Sequence, residues 1–240
     1  ILNYKYFLKD ILYIIFKNIK KPYNMPNSYK RVDAHLSNLG YCSRGEAKNF
    51  LKMFRVCVGD ERIFDANKKA YHNDITVDDE PLDAESLVIL MNKPSGVICS
   101  HNDAGVLIYS LLPIRWQRRN PKISTIGRLD ADTTGAILLT DNGALNHKLT
   151  SPKSDVAKVY EATLAEPIKG DEVDIFASGE LLLNGEKKPL LPAKLEVINP
   201  TLVRLKICEG RYHQVKRMFG SVGNRVIALH RVSFGDFSVE

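Results

Sequence analysis

The sequence contains no C-x-x-C pair, no glycine-rich phosphate loop and no apolar run long enough to cross a bilayer. Each absence removes a class of protein. The four cysteines stand apart at 42, 57, 99 and 208, and the histidines do not complete a zinc spacing. Neither a disulfide framework nor a structural metal is therefore expected, and isolated thiols suit a reducing cytosol. The longest apolar run, Ile11 to Phe16, spans six residues, where a membrane helix needs roughly 20. No small-residue cleavage site follows it, so it does not read as a secretory signal. Internal repeats and low-complexity tracts are also missing.

What is present is an ordinary globular composition, 44% hydrophobic and 26% charged over 240 residues. The net charge is +6, but Lys5, Lys9, Lys17, Lys20 and Lys21 against Asp10 place +4 of it in residues 1–24. Total charge is therefore a weak guide, and its local distribution carries the argument. Residues 1–24 open on Ile1, with the first methionine at Met25. They are expected to be an extension, amphipathic or without fixed structure, lying upstream of the native chain. A membrane-surface helix is the sharper reading of the same residues.

From Ala34 to Phe54, apolar residues recur at helical spacing. Gly40 breaks the pattern, and Ser43 with Glu46 forms a capping box for a second helix. Short strands are expected around Val56-Cys57-Val58 and Ile75-Thr76-Val77. On the second helix Arg44, Lys48, Lys52 and Arg55 line one face. A solvated charged face is the plain reading. Unmatched like charges at this spacing weaken a helix slightly, however, and make better sense facing a phosphate backbone. Five acids then crowd into residues 78–85 around Pro81, a composition that reads as an exposed linker over 81–87.

From Leu87 onward short apolar runs alternate with turn signals, at 87–91, 97–99, 136–139, 160–164, 195–198 and 202–207. Helical stretches are fewer, chiefly 142–149, 170–177 and 213–222. The pattern predicts an α+β chain, with a small domain over 25–80 and a larger one over 88–240 on a largely antiparallel mixed sheet.

The segment 127–143, Gly-Arg-Leu-Asp-Ala-Asp-Thr-Thr-Gly-Ala-Ile-Leu-Leu-Thr-Asp-Asn-Gly, runs from a turn-rich loop into a buried strand. Asp130, Asp132, Thr134, Gly135 and Asp141 fall at calcium-loop positions. Against calcium stand the short Asp141 at the last position, Leu138 where a water-mediated ligand belongs, and flanks that are not two helices. A second plain reading is that both aspartates cap turns, as Asp commonly does.

Taken together, several segments resemble a known family. Gly127-Arg128-Leu129-Asp130 with Thr133-Thr134-Gly135 is similar to the central motif of pseudouridine synthases. Met91-Asn92-Lys93-Pro94, Lys158-Val159-Tyr160 and Glu209-Gly210-Arg211-Tyr212-His213-Gln214-Val215-Lys216-Arg217-Met218-Phe219 match further motifs of its branch with an N-terminal S4 domain. Arg31-Val32-Asp33, Gly40-Tyr41-Cys42-Ser43-Arg44 and Val56-Cys57-Val58-Gly59-Asp60 resemble that S4 RNA-binding domain, with Val32 where Leu is usual. The wording at 150–152 and 212–219 is nearest to members that act on small-subunit (16S) ribosomal RNA.

The resemblance implies isomerisation of uridine to pseudouridine, with Asp130 as the attacking carboxylate, Tyr160 stacked on the uracil and Lys216 as the cation beside Asp130. Many members carry Arg at that last position. It further implies RNA contacts by Arg128, Lys93, Arg211, His213, Gln214 and Arg217 near the site. In the small domain they would come from Arg31, Arg44, Lys48, Lys52 and Arg55. No cofactor and no metal is required. The expected partner is ribosomal RNA or a pre-ribosomal small-subunit particle, met by a cytoplasmic monomer without a membrane. Family members usually continue with another short Gly- and Arg-containing stretch, so the last strand is expected to be incomplete. The rival reading is a non-catalytic RNA-binding or ribosome-assembly factor on the same fold, which would not need Asp130 as a carboxylate.

Overall fold

The computed structural model describes residues 12–14, 27–151 and 154–239. Apart from Leu12–Ile14, the extension expected over 1–24 lies outside the described residues. Those three pair antiparallel with Val88–Lys93 at one edge of the main sheet. From that edge the strand order continues through Thr134–Thr140, Val226–Phe234, Lys158–Leu164 and Leu202–Ile207 to Lys194–Asn199. All these pairings are antiparallel except Thr134–Thr140 against Val226–Phe234. This is the α+β architecture expected from the alternating runs.

Thr134–Thr140 is central because both of its faces are covered. Ile137 and Leu139 point into the main core with Ile89, Met91 and Val203, while Ala136 and Leu138 join Leu90, Ile126 and Phe234 on the opposite side. Period-two alternation sends successive side chains to opposite faces, so a strand apolar at every position is buried twice. Each fully buried Ile or Leu contributes about 1.5–3 kcal/mol. The strand is therefore a rigid base for the loop that feeds it. Gly135 lies at its start with φ +104°, where a Cβ would stand 2.2 Å from the Arg231 carbonyl oxygen. Glycine is what lets the two parallel strands meet beside Arg231.

A separate, smaller core joins Val32, Leu36, Phe50, Leu51, Val56 and Ile75. It is built from the helices Val32–Asn38 and Ala47–Met53 and a four-stranded sheet. The capping box forms reciprocally: the Ser43 amide donates to Glu46 at 2.8 Å and the Glu46 amide to Ser43 Oγ at 3.3 Å. It closes the turn leading into the second helix, which itself begins at Ala47.

The acidic segment does not behave as a solvated linker. Glu80–Pro81 adds a strand to the small sheet. Asp83 accepts from Arg115 Nε and Nη2, both at 2.8 Å, and from the Trp116 indole at 3.0 Å. Arg119 donates to the carbonyls of Ala84 and Glu85 and to Asp141 at 2.8 Å. Gly40 packs so closely on Arg115 that a Cβ would stand 2.1 Å from its carbonyl oxygen. Asp83 and the backbone of Ala84 and Glu85 thus fasten the end of the smaller unit to residues 115–119, a distant stretch of sequence. No helix among the described residues is long and apolar enough to cross a membrane.

Candidate active site

A cleft of about 630 Å³ opens on one side of the large sheet, lined by Arg128, Asp130, Lys158, Tyr160, His213, Lys216 and Arg231 among others. Three separate parts of the chain build it. The loop 127–133 is anchored from below by Leu129, which is buried, and closed by a Thr133 amide bond to the Asp130 carbonyl at 3.1 Å. Its Ala131 carbonyl accepts from the Gly96 amide at 2.8 Å and from Lys93 Nζ at 3.1 Å. Asp130 therefore projects from backbone pinned on both sides.

The helix Gln214–Ser221 supplies the facing charge. Gln214, Val215, Met218 and Phe219 are buried, as one face of an amphipathic helix requires, which turns Lys216 outward into the cleft. Gly223, with φ +79°, follows the helix end, where glycine is favoured. Lys216 Nζ lies 3.2 Å from Asp130 Oδ2 and 2.7 Å from Asp132 Oδ1. His213, in a left-handed conformation (φ 47°), brings Nε2 to 3.3 Å from Asp130 Oδ1. Asp130 is thus a partly buried carboxylate held between a lysine ammonium and a histidine ring.

Burial opposes the charge of Lys216, yet hydrogen bonds and attraction from Asp132 and Asp130 outweigh it and raise its pKa above the ordinary lysine value. The same hydrogen bond, aided by the lysine's charge, lowers the Asp132 carboxyl below the usual range. The expected Asp130–Lys216 pair is therefore shared with a second carboxylate that is largely exposed.

Tyr160 stands across the cleft on the strand Lys158–Leu164, and its hydroxyl is 3.4 Å from Arg231 Nη1. Arg231 is buried, donates from Nε to the Ala136 carbonyl at 2.6 Å, and lies against the rings of Tyr160 and Phe234. Arg231 is not among the residues singled out from the sequence. The available signal was a lone arginine between apolar Leu229 and Val232, since arginine is rarely buried without a task. Lys158 was passed over in the same way. It donates to the Val156 carbonyl at 2.7 Å and lies over Phe234, and burial with Arg231 nearby depresses its pKa.

The remaining expected RNA ligands divide. Arg128 is exposed at the cleft with no ion pair among the described residues. Tyr212 is exposed and stacks on His213, with centroids 3.9 Å apart. Lys93 is corrected: it is fully buried, with its ammonium on the Pro94 and Ala131 carbonyls, so it holds the loop and cannot reach RNA. Arg211, Gln214 and Arg217 all have partners within the chain. Arg211 binds Glu209, Glu186 and two carbonyls; Arg217 binds Glu186 and two carbonyls; Gln214 bridges Glu209 and the Arg211 amide. Glu186, which pairs with both arginines, lies 25 and 31 residues from them along the chain, so no sequence pattern links them.

In the smaller unit Arg44, Lys48 and Lys52 are exposed and form no ion pair among the described residues, whereas Arg55 binds Asp79 at 2.8 Å. Arg31 is held by Asp33 at 2.6 Å and by Asn67. The calcium arrangement does not form, because Asp141 turns away to the buried Arg119.

A carboxylate flanked by two basic groups, opposite a tyrosine in an open basic-sided cleft, defines a site for acid–base or nucleophilic chemistry on a flat ligand. The model of the RNA pseudouridylate synthase family matches residues 87–221. The chain is 40% identical to ribosomal small subunit pseudouridine synthase A of Escherichia coli (strain K12), covering 88% of this chain and 91% of that protein. It is 41% identical to the protein of the same description from Yersinia pestis, over 88% and 89%. A crystal structure of a pseudouridylate synthase superposes with a TM-score of 0.59 at 38% identity, covering 87% of this chain and 90% of that one. The chain belongs to the RNA pseudouridylate synthase family.

Proposed function

We propose that this chain isomerises a uridine of ribosomal RNA to pseudouridine, with Asp130 as the attacking carboxylate. The observation that carries the reading is Asp130 itself, held between Lys216 and His213 and facing Tyr160 across the cleft. The bond from ribose C1′ to uracil N1 breaks and one from C1′ to C5 forms. The proton lost from C5 is balanced by one gained at N1, so neither an oxidant nor a leaving group is needed. A fixed carboxylate at C1′ and a cleft that shelters the freed uracil meet those needs. Tyr160 would stack on the base, its hydroxyl oriented by Arg231. Arg128, exposed and without an ion pair among the described residues, would fill the space left by the flipped uridine or hold a neighbouring phosphate.

The finer reading is that the target lies in 16S rRNA, at uridine 516, reached on the RNA or on a partly assembled small subunit in the cytoplasm. The relatives' names, which print the ribosomal small subunit, and the motif wording support the small-subunit target. In the smaller, S4-like unit, Arg44, Lys48 and Lys52 would grip phosphates at a distance from the cleft.

Tritium release from uracil C5 of labelled ribosomal RNA tests the reading. Wild type should release tritium, and Asp130→Asn should release it at least about 10³-fold more slowly. No release by wild type from RNA or particle favours the non-catalytic factor; full release by Asp130→Asn shows that another group attacks.

A further inference from the structure

A second cluster of chemistry-bearing side chains lies away from the cleft, where the smaller unit meets the segment that follows it. His35 comes from the helix Val32–Asn38, His72 from the turn His72–Asp74, and Glu85 from the acidic segment. One ligand atom from each lies within 4.8 Å of the others. His72 Nδ1 is 3.7 Å from Glu85 Oε1 and has no hydrogen-bond partner among the described residues, although the residue is only 5% exposed. Burying an unpaired ring nitrogen costs free energy, so a group at this position calls for an occupant.

The surroundings are those of a ligand set. His35 donates from Nε2 to the Ala70 carbonyl at 3.1 Å, which puts the ring proton there and leaves the Nδ1 lone pair available. Glu85 Oε1 is fixed by the Ser28 amide at 2.8 Å and the Ser28 hydroxyl at 2.7 Å. Metal-binding histidines and carboxylates are commonly oriented in this way by partners behind them.

The geometry points to a divalent transition-metal site of zinc type, with His35, His72 and Glu85 as ligands and water as the fourth. Two imidazoles and one carboxylate are an established donor set for zinc. A tetrahedral ion with bonds of about 2.0–2.1 Å holds its ligands about 3.4 Å apart, so binding draws this trio together by about 1 Å. Lys30, whose ammonium lies 3.9 Å from Glu85 Oε2, is half-exposed and can swing into solvent as the ion enters. The bound ion would cross-link two segments of the smaller core to Glu85, beside the joint made by Arg119. The ligands are too far apart in sequence for a zinc motif, which is why spacing along the chain did not disclose them.

The test uses full-length protein stripped with chelator and dialysed, titrated with Co²⁺ for its visible absorption and with Zn²⁺ for thermal stability. One equivalent of Co²⁺ should produce the intense bands of a four-coordinate ion. Zn²⁺ at a hundredfold excess over its Kd should raise Tm by about 5 °C. Glu85→Gln, which keeps an oxygen for Ser28, and His72→Gln should lose both responses, whereas Asp130→Asn should keep them. The proposal is overturned if stripped wild type shows neither response. It is equally overturned if Glu85→Gln and His72→Gln, folded by circular dichroism, respond as wild type does. Because no readout is catalytic, failure here leaves the proposed reaction untouched.

Discussion

Asp130 and Asp141 stand at the two ends of one loop-and-strand segment, and each faces a cation. Their surroundings are opposite. Asp141 and Arg119 are sealed, with side-chain exposures of 4% and 1%, and the carboxylate also accepts from the Leu87 amide at 2.8 Å. Asp130 is 28% exposed and shares Lys216 with Asp132. A sealed pair has its lone pairs occupied and no path for a ligand. An open pair keeps its charge held in position but available. Charge pairing alone therefore says little about chemistry; access decides which aspartate can react.

The comparison breaks if the two residues fail in the same way. Asp130→Asn should abolish tritium release, by at least about 10³-fold, while moving Tm by no more than about 2 °C. Arg119→Leu should do the reverse. Removing one member of a buried pair leaves an uncompensated charge and costs about 3–5 kcal/mol, or about 10 °C in Tm, with release per folded molecule within about twofold of wild type. A drop in both properties for either variant would mean that the two pairs are not separable.

Lys216 sharpens the contrast because it is a cation on the open side. Lys216→Met should slow release by about 10²-fold, as loss of one fixed charge at a reacting centre does, with Lys216→Arg recovering most of it. Its raised pKa implies a pH profile. A group raised in the folded state contributes its stability below the unfolded-state value, and that contribution is lost only as pH rises through the higher folded value. Lys216 therefore produces no alkaline limb near neutrality. Asp132 has the opposite sign: its lowered pKa contributes stability above the ordinary carboxylate range, lost as pH falls below it. Urea midpoints compared between neutral and acid pH should accordingly fall less in Asp132→Asn than in wild type.

Much of this was legible in the sequence, for local reasons. Helices expected at 142–149, 170–177 and 213–222 appear as Gly143–Thr150, Glu172–Ala177 and Gln214–Ser221. The run at 202–207 is a strand with those limits. Periodicity and turn residues report on neighbours in the chain, and these elements depend on little else. The long strand Val226–Phe234 was not anticipated, because His230 and Arg231 interrupt its apolar alternation, and with it went the role of Arg231. Arg119 with Asp141, Asp83 with Arg115, and Glu186 with Arg211 and Arg217 were equally invisible. Each is a charge whose partner is set by the fold, so composition alone read 78–85 as solvent-facing.

The same reasoning separates cations within the smaller unit and yields the smallest effect. Lys48 and Lys52 are exposed with no ion pair among the described residues, while Arg55, two residues past the helix end, is matched by Asp79. An unmatched cation on a phosphate releases a counterion, and each such contact adds about 0.7–0.9 to the slope of log affinity against log salt. Replacing both lysines by alanine should flatten that slope by about 1.5 and weaken binding of ribosomal RNA several-fold at moderate salt, with stability changed by no more than about 0.5 kcal/mol. Arg55→Ala should flatten it less, since part of its charge is already neutralised by Asp79 and the exposed pair contributes little of its own. Filter binding across a salt series distinguishes the two. An unchanged slope in the double variant would remove RNA from this face and leave the cleft as the sole site of grip.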